Sequence, residues 1–151
     1  MSISELKTFY DQVDHFKHSI IHILESLGKT DEVKRINIHY DKLLMVKSVN
    51  ARGIVSVVYE KAIHPCVEAI LLKQESFFLG KLDKVNTIQQ IDDNDIMFIE
   101  QIAGIWPVLP DEVKDNIWKY ILVLSILAER IAGGSVLKDT REKLKQLGAL
   151  Q

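Results

Sequence analysis

The sequence predicts an all-α protein, a single-domain bundle of about six or seven helices around a buried central helix at about residues 110–132. Three observations carry that expectation. Between Ile117 and Ala128 only Lys119 and Ser125 interrupt an apolar run, and Tyr120 is mostly apolar in area. A helix greasy on most sides needs neighbours on most sides. Much of the remaining chain repeats apolar residues at helical steps of three and four. The one β-branched run, Ile54 to Tyr59, has no second segment to pair with as a strand, so it too is drawn into helix.

The elements follow in order. Helix one begins near Ser2 or Ser4, with Ser4 as its N-cap, and stops at Gly28. Its stripe is Leu6, Phe9, Val13, Phe16, Ile20, Ile23, Leu24 and Leu27. Helix two follows the cap Thr30, with Asp31 and Glu32 in its first turn and Val33, Ile36, Tyr40, Leu43 and Leu44 on one face. The short turn between them makes an antiparallel hairpin. Asn50 to Gly53 weakens the pattern and offers helix two an end. Pro65 then breaks or kinks the chain, biasing His64 away from helical geometry.

A further helix is predicted from Cys66 to Leu79, ending at Gly80, and Lys81 to Gln90 reads as a connector. Asp92 or Asp93 caps a short helix that carries Ile96, Phe98, Ile99, Ile102 and Ile105 into a Trp106-Pro107 corner. The central helix is the best punctuated. Pro110 suits its first turn, Asp111, Glu112 and Asp115 sit near its N-terminus, Arg130 lies near its C-terminus, and Gly133-Gly134 supplies the stop. Glu112, Asp115, Lys119 and Arg130 share a narrow polar sector; Trp118, Ile121, Leu124, Leu127 and Ile131 fill the rest. Ser135 caps a last helix with a thin apolar face of Val136, Leu137, Leu144 and Leu147.

Composition narrows the function classes. The chain has 151 residues, 47% hydrophobic and 26% charged, which is ordinary for a globular protein and argues against disorder. Its net charge of −2 gives no electrostatic case for nucleic acid. Cys66 is the only cysteine and cannot close an internal disulfide, so a reducing compartment fits. The first residues lack the basic and apolar regions of a secretory signal. The apolar run of the central helix, about twelve residues, is too short for the roughly 20 a bilayer crossing demands. A cytoplasmic protein without a membrane span is expected.

The sharpest polar pattern is Asp11, His15, His18, His22 and Glu25, all on one face of helix one. His18 and His22 stand at i and i+4, a spacing that can chelate a transition metal. Ligands strung along one straight helix cannot surround one ion, however, and the second-segment donors His39 and His64 complete no known spacing. A solvated face is the expectation, with His15, His18 and His22 as the only metal candidates and no cofactor. His64 and Cys66 are too close in sequence to orient as base and nucleophile, so Cys66 reads as a buried structural cysteine. Asp92 to Asp95 lacks the later Gly and Glu of a calcium loop. No glycine loop cradles phosphate. The basic residues of the last helix, Lys138, Arg141, Lys143 and Lys145, are diluted by Asp139 and Glu142. Residue by residue, this is not the sequence of an enzyme.

What remains is apolar surplus. Phe77, Phe78, Trp106 and Trp118 are the interaction candidates. Phe77 and Phe78 are adjacent, and neighbours on a helix point about 100° apart, so both cannot easily serve one narrow core stripe. Ordinary core packing is the leading reading; the alternative is one ring exposed for a protein partner, most simply a second copy in a homodimer.

The segment Phe98…Ile105-Trp106-Pro107-Val108-Leu109-Pro110…Lys114…Ile117-Trp118-Lys119-Tyr120…Leu124…Leu127 resembles small uncharacterised helical proteins of large nucleocytoplasmic DNA viruses, of the marseillevirus type. That resemblance implies a viral protein, packaged in the virion or acting in the host cytoplasm, and carries over no catalytic residue. The expected function is thus a non-enzymatic protein–protein interaction or virion-associated role. The alternatives are a nucleic-acid-associated virion protein using the basic last helix, and a metal-binding bundle using the His15/His18/His22 face.

Overall fold

A computed structural model describes residues 3–79 and 98–150, and every described element is helical. Seven α-helices are described: α1 (Ile3–Ser26), α2 (Thr30–Val58), α3 (Val67–Leu71), α4 (Ser76–Leu79), α5 (Ile99–Ile105), α6 (Asp111–Ala132) and α7 (Val136–Gln146). The predicted connector 81–90, the caps Asp92 and Asp93, Gly80 and Ile96 lie outside the described residues.

Helix α6 is the axis. Helices α1, α2, α3 and α7 all pack on it, and Ile117, Trp118, Ile121, Leu124, Leu127, Ala128 and Ile131 are buried there. The predicted polar sector of Glu112, Asp115, Lys119 and Arg130 is the exposed strip. Pro110 stands just before the helix with extended backbone, and Gly133, at φ 77°, ends it in the left-handed conformation that L side chains adopt at a cost. The predicted helix and its limits are those observed.

Helices α1 and α2 form the expected antiparallel hairpin. Phe9, Val13, Phe16, Ile20 and Leu24 of α1 are buried, and the Phe16 ring stacks on Tyr120 of α6 at 4.9 Å. Across the hairpin, the Tyr40 hydroxyl donates to Asp14 at 3.1 Å and the Tyr10 hydroxyl to the Ala51 carbonyl at 2.5 Å. The two N-termini differ from expectation. Ser4 lies inside α1, and Thr30 is the first residue of α2 rather than its cap; Lys29 holds the cap position and offers no side-chain acceptor.

The second half of α2 shows how local chemistry bends a helix without ending it. Asn50 leaves helical geometry at φ −151°, and its side-chain carbonyl accepts the Gly53 N–H at 3.1 Å, replacing a backbone acceptor. The helix then resumes through the β-branched run to Val58, as tertiary burial of Ile54, Val55 and Val58 demands. A wide turn of π-helical type, Tyr59–Ile63, and a tight turn, His64–Cys66, carry the chain past Pro65. His64 keeps helical angles, against the bias that a following proline imposes.

The helix predicted from Cys66 to Leu79 is broken into α3 and α4. Lys73 between them adopts φ 54°. The short helix before the corner, α5, follows the cap residue Phe98, which also takes φ 54°, and runs from Ile99 to Ile105 before the tight turn Trp106–Val108. Among the described residues, no helix is long and apolar enough to cross a membrane.

Candidate functional site

The four aromatic residues singled out from the sequence do come together, but inside the protein. Phe77, Phe78, Trp106 and Trp118 are 2%, 0%, 2% and 5% exposed. Phe78 lies 4.7 Å from Trp106 and 5.0 Å from Trp118, and Phe77 meets Phe78 edge-on at 5.1 Å. Both rings pack in the core, the leading expectation; the alternative of one outward ring is not met. Its premise was a continuous helix with a narrow stripe. The break at Lys73 turns α4 into a single-turn plug whose two rings both enter the space between α5 and α6. Lys114 spreads over the Trp106 ring at 5.2 Å, while the buried Trp106 indole N–H has no hydrogen-bond partner.

The histidine face is solvated. His15, His18 and His22 are exposed along α1, and His18 Nδ1 lies 2.8 Å from the Asp14 carbonyl oxygen of its own helix. Lys7 donates to Asp11 at 2.7 Å and holds that carboxyl below its usual range. Among the described residues, no three His, Cys, Asp or Glu side chains gather as metal ligands do. Cys66 is half-buried, and His64 is exposed with its ring edge-on to Tyr59 at 6.0 Å.

The unclaimed apolar surface lies elsewhere, on α2. Of the ten large hydrophobics exposed among the described residues, six belong to this helix: Ile38, Leu44, Met45, Val46, Val49 and Val57. Ile38, Met45 and Val49 are 64%, 71% and 85% exposed. Their spacing of seven and four residues aligns them in one row before the bend at Asn50. With Lys42 between Ile38 and Met45, the steps become four, three and four, the repeat of a helix-pairing seam. The buried face of the same helix is carried by Ile36 and Leu43. Each exposed partner, Ile38 and Met45, lies two residues further on, about 200° round the helix. The signal is therefore present in the sequence itself.

One polar node also escaped the sequence reading. Glu129 is only 6% exposed, and its Oε1 accepts the Tyr59 hydroxyl at 2.6 Å and the Leu137 N–H at 2.7 Å. Its Oε2 accepts the Lys138 N–H at 3.0 Å. Glu129 thus caps α7 from the end of α6, the role expected of Ser135. The Ser135 hydroxyl instead donates to the Asp139 carboxylate at 3.1 Å. Burial, and then the bond to Glu129, push the Tyr59 hydroxyl up to about 12. A Cβ on Gly134 would run into that hydroxyl, so only glycine lets the turn after α6 close over Tyr59. This node fixes architecture and presents no reactive group to solvent.

No family model, curated protein or solved structure matches the chain. The reading below therefore rests on its own residues.

Proposed function

We propose that this chain is a non-enzymatic helical interaction protein, and that it works by pairing the outer face of α2 with a second copy of itself. The observation that supports this is the Ile38–Met45–Val49 row, whose side chains stay exposed and have no covering neighbour among the described residues. In an antiparallel, two-fold pairing centred between Lys42 and Met45, Ile38 of one copy meets Val49 of the other. Lys42 then lays its aliphatic stem over the facing Met45 and keeps its ammonium in water.

Magnitude sets what kind of dimer this is. Each side chain is worth about 1.5–3 kcal/mol on full burial. Six of them exceed the lower part of the roughly 4–15 kcal/mol cost of association and fall near its upper part. The pair is accordingly concentration-dependent rather than obligate. Cytoplasmic residence belongs to this proposal, and the viral, virion-associated setting rests on the tryptophan–proline corner alone. A foreign amphipathic helix could use the same seam, and it is the outcome to which a failed self-association test points.

The test is solution mass by light scattering across a concentration series, for the native chain and for Met45→Glu. The native chain goes from monomer to dimer as concentration rises, and Met45→Glu stays monomeric with its helical signal intact. A native chain that is monomeric at every concentration overturns self-pairing.

A further inference from the structure

We propose that the outer face of α2, when it is not paired, docks on an anionic membrane surface. Ile38, Met45 and Val49 enter the boundary between headgroups and acyl chains, and Lys34, Lys42 and Arg52 meet the anionic headgroups. This rests on the reading of that face as the place where the chain is engaged, and it adds an occupant that competes with the second copy.

The charge of α2 is lopsided. The whole chain carries a net charge of −2, yet from Val33 to Tyr59 the cations Lys34, Arg35, Lys42, Lys47 and Arg52 stand against a single acid, Asp41. Two of these cations are engaged within the chain: Arg35 with Glu32 at 3.3 Å, and Lys47 over the Tyr10 ring at 4.5 Å from its centroid. Lys34, Lys42 and Arg52 are exposed and enter none of the ion pairs among the described residues. On the adjoining helix α1, Asp11 is held by Lys7 at 2.7 Å, and Asp14 accepts the Tyr40 hydroxyl at 3.1 Å.

The position of these cations is a separate observation. Lys34, Ile38, Lys42, Met45 and Val49 follow one another at steps of four, four, three and four, so cations and apolar side chains share one row. From Ile38 to Val49 the row is about 17 Å long, at about 1.5 Å per residue. Arg52 follows just past the bend at Asn50. The row stands opposite the buried Ile36 and Leu43, with its three apolar side chains 64%, 71% and 85% exposed. It is a ridge, not a groove.

That combination selects the partner. A nucleic acid would meet the cations and leave Ile38, Met45 and Val49 in water. A neutral apolar groove would take those three and bury ammonium groups without a counter-charge. An anionic bilayer surface meets both needs. A helix lying in its plane sinks apolar side chains about 5–10 Å into the interface. The lysine stems follow them while the charges stay among the headgroups. A fluid surface also closes around a ridge without a preformed matching shape. Among the described residues no helix is long and apolar enough to cross the bilayer, so the contact is peripheral.

Salt separates the two occupants. Two copies of this face carry the same sign of charge, so screening favours their pairing, whereas it weakens attraction to anionic lipid.

The experiment uses the full chain, at a concentration where light scattering finds the monomer, and reads co-sedimentation with vesicles. One set is pure phosphatidylcholine, and the other contains about 30% phosphatidylserine. The chain binds the anionic vesicles and not the neutral ones, and binding falls steeply as sodium chloride rises from about 50 to about 500 mM. Lys42→Gln weakens vesicle binding about fivefold, the equivalent of about 1 kcal/mol, and leaves solution pairing at least as strong. Ile38→Ser weakens it about tenfold, with the helical signal intact. Lys138→Gln, on α7, binds as the native chain does. The proposal is overturned if the chain binds neither kind of vesicle, which leaves an acidic amphipathic helix as the occupant, or if it binds both kinds alike. It is also overturned if Lys42→Gln and Ile38→Ser bind as the native chain does, or if Lys138→Gln loses as much as Lys42→Gln. A chain that pairs in solution and ignores anionic vesicles overturns this proposal alone; one that binds them yet is monomeric at every concentration overturns self-pairing alone.

Discussion

Helices α2 and α6 are the two long apolar helices that meet in the core, and they use their hydrophobic residues in opposite ways. In α6 the apolar side chains are enclosed by four neighbouring helices, and Val123 alone among its large hydrophobics stays well exposed. In α2 the buried face is only Ile36, Leu43, Ile54, Val55 and Val58, and a second apolar row stands in solvent on the far side. A helix with one covered face and one uncovered apolar face carries more apolar surface than the described residues bury. The comparison teaches that the density of apolar residues does not locate a docking surface; the number of faces left over once the core is satisfied does.

Substitutions in the two helices should separate core from surface, and the largest effect belongs to α6. Trp118→Ala removes a ring that touches Phe77, Phe78 and Trp106. It should cost roughly 3–5 kcal/mol in urea unfolding. Val49→Ala on α2 should fall within about 0.5 kcal/mol of the native chain under dilute conditions. If the two losses are alike, the contrast between the helices is broken.

Next comes the node at the end of α6. Glu129→Ala leaves the Tyr59 hydroxyl and the Leu137 and Lys138 amides without their acceptor. Each buried donor left unpaired costs about 1–3 kcal/mol, so a loss of roughly 3 kcal/mol is expected by the same unfolding assay. Gly134→Ala drives a methyl into the Tyr59 hydroxyl and should cost about 1–3 kcal/mol. A neutral result for both would mean that α7 is held by its apolar contacts alone.

A smaller effect is readable in alkali. The Tyr59 hydroxyl is held protonated up to about 12, against an ordinary value of 10.0. Tyr40 is likewise pushed up to about 12, by burial and then by Asp14, and burial raises Tyr10. Raised values mean that the fold favours the neutral phenols. That stabilisation is whole below pH 10.0 and is lost as pH climbs toward about 12. Stability should decline across this window, and Tyr59→Phe should flatten part of the decline.

How far the sequence disclosed these features depends on the range of the interaction. The bundle and the limits of α6 were legible because apolar period, proline, terminal charge and glycine all act within a few residues and agree there. The split between α3 and α4 was not, because Lys73 at φ 54° is an ordinary residue with no local signal for the left-handed conformation. The cap on α7 was misread for a related reason. Ser135 has the right local chemistry, but Glu129 arrives through the tight turn with Tyr59, seventy positions away, holding it. The candidate surface was half legible. Ile38 and Met45 are visibly out of register with Ile36 and Leu43, whereas burial of all four aromatic residues emerges only when the helices are packed.

The most direct test of the central claim, that the outer face of α2 is where this chain is engaged, is a series of nitrogen–proton correlation spectra taken as concentration is raised. Progressive shifts are expected, confined to α2 from Lys34 to Val49, with the amides of α6 unchanged. Spectra that stay constant throughout, or shifts that gather on any other helix, would contradict it.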